Sequence, residues 1–372
     1  TRLYQFADDS MQGRETGKLG GLRSAQYIAA ELKRLGLEPA GDNGTYLQAI
    51  PWLVQRPDPA NALRVGATAL NPATDFLLVP RLGYAVALGG QPFGGTFTGE
   101  GVPTVFGGRI GDSTITPEAA RGKVVVFAPP SDRVSFSFWQ RDNLRRYTGA
   151  RALLVAVLDA AAPQQLLQYR GTRETYHDST LTGISAPMTV IAIKLTVAEQ
   201  IFGAPLASIA RGTSGQPVSG SVRFLNTPAE APAYNVAGIV RGSSPTLHNT
   251  YVAVGMHHDH TGMLPRPIDH DSVRAVNAIA RPRGADDRQA RRMTDAEWVQ
   301  VRATIDSLRK VHGGVLLDSI NNGADDNGSG TVLGLEIAEA LAKSPNKPPR
   351  SVLFVFHTAE EKGLFGAQYF SD

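Results

Sequence analysis

Three short polar clusters in this sequence have the residue types and spacing for metal-assisted chemistry. The first is GMHHDHTG. His257, His258 and His260, three of only eight histidines in the chain, lie here within four residues, with Asp259 among them. In His257-x-Asp259 the carboxylate can accept a hydrogen bond from the imidazole, which fixes the tautomer and leaves the other ring nitrogen for a metal. The second is NGADDNGSG, residues 322–330. Its glycines permit tight turns, Asp325 and Asp326 supply hard anionic oxygens, and Ser329 stands where it can cap a following helix. The third is HTAEE, which ends at Glu361. Adjacent residues on an extended segment point in different directions, so one glutamate can bind a metal while its neighbour faces water. Zinc held by histidine and carboxylates with an open position makes hydroxide available near neutral pH. A carboxylate beside it can take the water proton and pass it to a leaving amine. Those are the requirements of peptide-bond hydrolysis. With two metals one carboxylate must bridge them, a role that suits an aspartate on a rigid loop. Each cluster also has a plainer reading, as a solvated loop, a capped turn or an exposed helix start. All three, however, sit at element ends within one strand–helix–strand region.

The elements that must position these clusters follow Pro228. NVAGIVRG, TYVAVGM and SVLFVFH are apolar runs bounded by polar loops, and the pattern predicts a helix over roughly Gly330 to Lys343. Runs this apolar predict strands buried on both faces, as in a parallel sheet covered by helices. In such sheets functional groups lie on loops that leave the carboxyl ends of strands. Near the N-terminus, Leu22, Ala25, Ile28, Ala29, Leu32 and Leu35 recur at spacings of three and four, and Gly36 and Pro39 follow. This predicts an amphipathic core helix with its stop signal. Between about residues 57 and 227 the texture differs. FLLVPRLGYAVALGG, GKVVVFAPP, ARALLVAVLDA and PMTVIAIK read as strands between Gly and Pro turns, with Gln-, Thr- and Tyr-rich loops before the last, in a β-rich module with a few short helices. That stretch has no cluster of acids and histidines.

Composition narrows the classes. The 372 residues suffice for about two domains with a large core, and 42% hydrophobic with 19% charged residues is ordinary for a globular chain. A net charge of +3, without basic runs interleaved with aromatics, gives no nucleic-acid signature. The absence of cysteine excludes disulfides and thiolate chemistry. No apolar stretch approaches the ~18 residues of a membrane span. The chain opens on Thr1 and not Met, so a start codon, with or without a signal peptide, is expected to have been removed or not included.

GMHHDHTG, NGADDNGSG and FVFHTAEEKGLFGAQYF together resemble the co-catalytic di-zinc aminopeptidase family, of the aminopeptidase Y and aminopeptidase S type. MQGRETGKLGGLRSAQYIAAELKRLGLEPAGDNGTYLQ is similar to that family's opening segment. ARGKVVVFAPP, TGARALLVAV and APMTVIAI resemble the protease-associated (PA) domain often inserted in it. The resemblance implies an α/β, phosphorylase/hydrolase-like fold, with a mostly parallel central sheet flanked by helices and an inserted β-rich PA domain. Residues 1–56 and 228–372 would form the peptidase domain, and 57–227 the PA-like domain. His257 would bind one zinc and Asp259 would orient it. Asp325 would bridge two zinc ions, followed by a cis Asp325–Asp326 bond. Glu360 would be the general base and Glu361 a ligand of the other zinc. The family also implies a peptide or protein substrate, and a secreted, periplasmic or cell-envelope location. It uses a further Asp and His after the glutamate pair, and Asp372 is too close to Glu361 to be that Asp. The expectation is therefore a C-terminally truncated, inactive fragment.

Asp259 and Asp325 are 66 positions apart, farther than the resemblance suggests. An insertion over about 272–317 is expected, near the mouth of the site, as a lid or specificity element. It holds a capping box at Thr294 and Glu297 before Trp298, Val301, Ile305 and Leu308. It also holds a second GADD, Gly284 to Asp287, expected to lie exposed and away from the metal site. Alternatives kept open are a receptor-like binding protein that has lost zinc, a cyclase-type acyl transferase, and a carboxypeptidase or dipeptidase.

Overall fold

The computed structural model describes residues 2–80, 94–129, 144–176, 188–287 and 289–371. Helix Leu19–Arg34 forms where the three–four spacing predicts it, and Gly36 follows at φ +76°. Its Ala25, Ile28 and Leu32 are buried in one cluster with Phe6, Val236, Leu335, Phe354 and Phe356. Burying each large aliphatic side chain contributes roughly 1.5–3 kcal/mol. The core therefore sits between this helix, helix Gly330–Lys343 and a sheet.

That sheet has the order β1 (Glu38–Pro39), β14 (Ala233–Val240), β18 (Ser351–His357), β15 (Tyr251–His257), with β2 (Leu47–Ile50) also paired to β14. The expected α/β arrangement of helices on a sheet is present. β15 and β18 run parallel, in a register that sets His257 opposite His357, whereas β14 is antiparallel to β18, β1 and β2. The parallel pair is the one whose carboxyl ends carry the first and third polar clusters. β14 and β18 are buried as their apolar runs predict. β15 is not: Tyr251 and Val252 are about half exposed. It has no partner on its other side among the described residues, so its apolar run marks a sheet edge there.

Between β15 and helix Gly330–Lys343 the chain forms an arm. β16 (Met263–Asp269) and β17 (Leu317–Ile320) pair antiparallel, and helices His270–Ala280 and Asp295–His312 lie between them. The inserted structure thus starts at Met263, earlier than the expected 272, because the strands of the ribbon belong to it. The Thr294–Glu297 capping box forms, and Val301 is buried while Trp298 stays 41% exposed. Asp269 caps the first arm helix and accepts from Arg309 at 2.6 Å.

The region from Ala62 to Val222 builds an eight-stranded sheet. Its order is β5 (Thr68–Ala69), β4 (Ala62–Val65), β12 (Ser214–Val222), β7 (Phe97–Arg109), β8 (Val124–Ala128), β9 (Ala152–Ala156), β11 (Val190–Ile193), β6 (Phe76–Leu78). β7, β8, β9 and β11 are mutually parallel. β3 (Trp52–Pro57), β10 (Arg173–Tyr176) and β13 (Phe224–Pro228) form a three-stranded sheet, so the chain enters and leaves the larger sheet through the paired strands β3 and β13. Residues 163–176, read as loop, instead form helix Pro163–Arg170 and β10. Pro163 opens that helix and the Gln165 side chain accepts from the Ala162 amide, an N-terminal lock that overrides the polar composition. The expected continuation of the β6 run over 81–90 and the loop over 177–187 lie outside the described residues.

Candidate metal centre

Asp259 follows β15 by two residues and is fully buried. Its carboxylate accepts the backbone N–H of Glu360 on Oδ1 at 3.1 Å and that of Glu361 on Oδ2 at 3.3 Å. Thr16 donates its hydroxyl to Oδ2 at 3.2 Å and accepts the Ala359 amide at 3.0 Å. Ala359 holds φ +57°, a left-handed conformation that is strained for a residue with a Cβ. The glutamate pair therefore leaves β18 on a turn clamped from below by Asp259 and Thr16, and its two side chains diverge. Asp259 was expected to orient His257 through its carboxylate, but Oδ1 is 3.7 Å from Nδ1. The carbonyl oxygen of Asp259 accepts from Nδ1 at 3.2 Å instead, because the carboxylate is engaged by the glutamate amides. The tautomer is fixed all the same, and Nε2 faces the site.

His257 Nε2 lies 3.3 Å from Asp326 Oδ1 and 3.9 Å from Glu360 Oε2. With its proton on Nδ1, Nε2 presents a lone pair to a carboxylate, a pairing that calls for a proton or a cation between them. Burial works against protonation of His257, but Asp259, Glu360 and Asp326 outweigh it and raise its pKa. Glu360 is also shifted upward, first by burial and then by the negative charges of Asp259, Glu361 and Asp326, with His257 opposing. A carboxyl held above its ordinary range is suited to exchanging protons. On the other side, His260 Nδ1 donates to Glu361 Oε1 at 2.6 Å. His260, Asp326 and Glu361 each offer a donor atom within 4.8 Å of the others, a histidine–carboxylate set able to hold a divalent ion.

These positions correct two assignments. Asp326, and not Asp325, stands between His257 and the His260–Glu361 pair. The loop turns at Gly323 with φ +55°, and a cis peptide lies at Asp326–Asn327, one residue later than expected. Asp325 is exposed, and its carbonyl accepts from Ser329 Oγ at 2.8 Å. Ser329 consequently does not cap the helix. Asn327 does, its Oδ1 accepting from Gly330 N at 3.2 Å while its amide donates to the His257 carbonyl at 3.1 Å. Thr331 donates to the same carbonyl at 2.8 Å and ties the helix start to β15.

Of the three clustered histidines, His258 is structural. It is fully buried, donates from Nε2 to the Tyr234 carbonyl at 3.0 Å and accepts Ser24 Oγ on Nδ1 at 2.8 Å; burial pushes its pKa down. The second GADD stays apart, as expected: Asp286 is exposed, and Asp287 pairs with Arg283 at 2.7 Å. Sequence reasoning missed the roles of His260, Thr16 and Arg14. Their signal was faint: His260 was one of three neighbouring histidines, and the other two lie in MQGRETG, where nothing local marks them as part of a distant site.

His257, Asp326, His260 and the divergent Glu360–Glu361 pair thus meet at the carboxyl ends of the parallel strands β15 and β18. Residues 235–372 match the model of Peptidase family M28. Within curated proteins, it is 38% identical over 110 residues to Leucine aminopeptidase 1 of Fusarium vanettenii, a match that covers 25% of this chain and 28% of the relative. It is 33% identical over 102 residues to a Vacuolar membrane protease of Botryotinia fuckeliana, covering 25% of this chain and 9% of that protein. Among solved structures, the Aminopeptidase from Aneurinibacillus sp. strain AM-1 aligns with 100% of this chain and 65% of its own, at 15% identity and a TM-score of 0.36. BSAP, a zinc aminopeptidase from Bacillus subtilis, aligns over 99% of this chain and 63% of its own, at 16% identity and a TM-score of 0.34. The chain thus spans less than two thirds of the length of each of these proteins.

Proposed function

We propose that this chain belongs to a zinc metallopeptidase, an aminopeptidase that hydrolyses the N-terminal bond of peptides. The carrying observation is the convergence on Asp326 of His257 Nε2 from one side and the His260–Glu361 pair from the other, with Glu360 beside them. One imidazole and two carboxylates suit zinc, which commonly takes three protein ligands and leaves a position open. His260, Asp326 and Glu361 would hold one ion. His257 with Asp326 would contribute to a second, which makes Asp326 the shared carboxylate. When bound, zinc supplies Lewis acidity, making water more acidic and polarising a carbonyl. Glu360 takes the proton from water as its oxygen bonds to the scissile carbonyl carbon, and returns it to the amine nitrogen as the C–N bond breaks. Asp259 acts through others, holding Glu360 and Glu361 at their amides. The preference for a free N-terminus rests on the names of the relatives.

In the same reading residues 57–227 are a PA-like domain, and the protein works outside the cytoplasm, secreted, periplasmic or attached to the cell envelope. The test is turnover of aminoacyl-p-nitroanilides by the intact protein with zinc, alongside Glu360→Gln. The expected result is a loss of about 10²–10⁴-fold in kcat for the variant, the range of a general base, with zinc affinity nearly unchanged. Turnover that survives Glu360→Gln would refute the assignment of the base.

A further inference from the structure

Arg14 is fully buried, yet no carboxylate lies within ion-pair distance of it among the described residues. Its guanidinium donates to backbone carbonyls instead. Nε reaches His258 at 3.0 Å, Nη1 reaches Phe6 at 3.1 Å and Asn322 at 2.5 Å, and Nη2 reaches Gly323 at 2.7 Å. The planar fork therefore joins the loop that carries His257 and His260 to the loop that carries Asp326. The ring of Phe6 covers the cation at 4.6 Å. The backbone repeats the connection: Arg14 O accepts from His260 N at 3.3 Å, Gly13 O from Gly262 N at 3.0 Å, and Gly262 O from Asn321 N at 2.9 Å. A Cβ on Gly13 would stand 2.5 Å from the Gly262 carbonyl and 2.6 Å from that of Asn321, so only glycine lets the segment wedge between the loops. Gln12, Gly13 and Arg14 all have φ between 50° and 64°, a conformation that L side chains adopt only when the surroundings impose it.

Two facts make this more than packing. The loops that Arg14 joins are the two ends of the arm Met263–Ile320, so without a brace their spacing would follow the arm. Burial lowers the Arg14 pKa to about 10, against the opposing charges of Asp259, Asp326 and Glu361, and a buried cation offsets the repulsion of gathering those carboxylates. We infer that Arg14 is a positioning residue that sets the spacing of the two metal-bearing loops before any metal binds. The inference rests on the metallopeptidase reading for what the loops are used for, but not for its test.

The first measurement is hydrogen exchange on the unaltered, metal-free protein. Peptides covering 258–262 and 320–328 are expected to exchange slowly, their amides held by Arg14, Gly13, Gly262 and Gly323. Free exchange without metal, with protection only after zinc is added, would overturn the inference whatever any variant does. The second is zinc affinity by competition with a chromophoric chelator, for Arg14→Lys and Arg14→Met. Lysine keeps the charge but loses the fork, so affinity is expected to fall at least tenfold in Arg14→Lys and further in Arg14→Met. Folded Arg14→Lys and Arg14→Met proteins with wild-type affinity would also overturn it. If the unaltered protein binds no zinc, the metallopeptidase reading fails, and the exchange experiment still decides the role of Arg14.

Discussion

The two larger sheets of this molecule bury different things. In the eight-stranded sheet, β8, β9 and β11 are buried at every position and contribute only aliphatic and phenylalanine side chains. In the smaller sheet the same depth holds Arg14, Ser24, Asn235, His258, Asp259, Thr331 and Thr358, all 0–1% exposed. Each of these finds partners. Asn235, for instance, accepts the Thr358 amide at 3.0 Å and donates to the Gly366 carbonyl at 2.9 Å. A dry aliphatic core gives stability without direction. A satisfied polar core is less favourable per residue buried, but it fixes backbone groups at stated positions. The polar core lies beneath the loops that carry His257, Asp326 and Glu360, so that is where position matters.

The contrast can be broken by substitution. Leu154→Ala in β9, at 1% exposure, is expected to destabilise by about 2–5 kcal/mol, while zinc affinity stays within about twofold. A calorimetric melt and a chelator competition check both. If Leu154→Ala also weakens zinc binding, the two cores are coupled and the division fails.

The next effect is on pH. Burial, aided by the charge of neighbouring histidines, lowers the His357 pKa to about 4, against about 6.5 for an unfolded chain. Above about pH 6.5 neither state is protonated there. Between that value and about 4 the unfolded chain takes up a proton that the folded one refuses, so stability falls as pH falls. Below about 4 the loss levels off. The loss is on the order of 3 kcal/mol, and His258 shifts the same way. Urea midpoints from pH 7.5 to 4 should show it, and His357→Phe should flatten the curve. A midpoint that rises with acidification would contradict the burial argument.

His258→Leu sharpens the comparison at smaller amplitude. It leaves the Tyr234 carbonyl and Ser24 without their ring partners, at about 1–3 kcal/mol. Unlike Leu154→Ala it is expected to lower zinc affinity as well, because His258 anchors the loop between His257 and His260. Equal affinity in His258→Leu and wild type would show that the loop needs no such anchor.

Much of this was legible in the sequence. Helix Gly330–Lys343 has the bounds that its periodicity gives, since an amphipathic stripe and glycine-rich entry are local signals. The glutamate pair was legible because two acids at the end of an apolar strand are unusual in any context. The choice between Asp325 and Asp326 was not. The two side chains are chemically identical, and which one approaches His257 depends on the turn at Gly323 and on Asn327 reaching His257, a contact across 70 positions. The same holds for His258 and His260, which differ only in where Ser24 and Glu361 lie. Arg14 was less legible still: its partners are carbonyl groups, which every residue has, and all but that of Phe6 lie 244 to 309 positions away.

The central claim is that Asp326 is the carboxylate shared across the metal centre. Zinc affinity of Asp325→Asn and Asp326→Asn, measured by chelator competition in the intact protein, tests it most directly. Asp326→Asn removes an anionic oxygen that faces both His257 and the His260–Glu361 pair, and is expected to weaken zinc binding by about 100-fold or more, beyond the 10–100-fold typical of losing a supporting group. Asp325→Asn, whose carboxylate makes no contact with His257, His260 or Glu361 among the described residues, should stay within about threefold of wild type. A large loss in Asp325→Asn with Asp326→Asn near wild type would contradict the account.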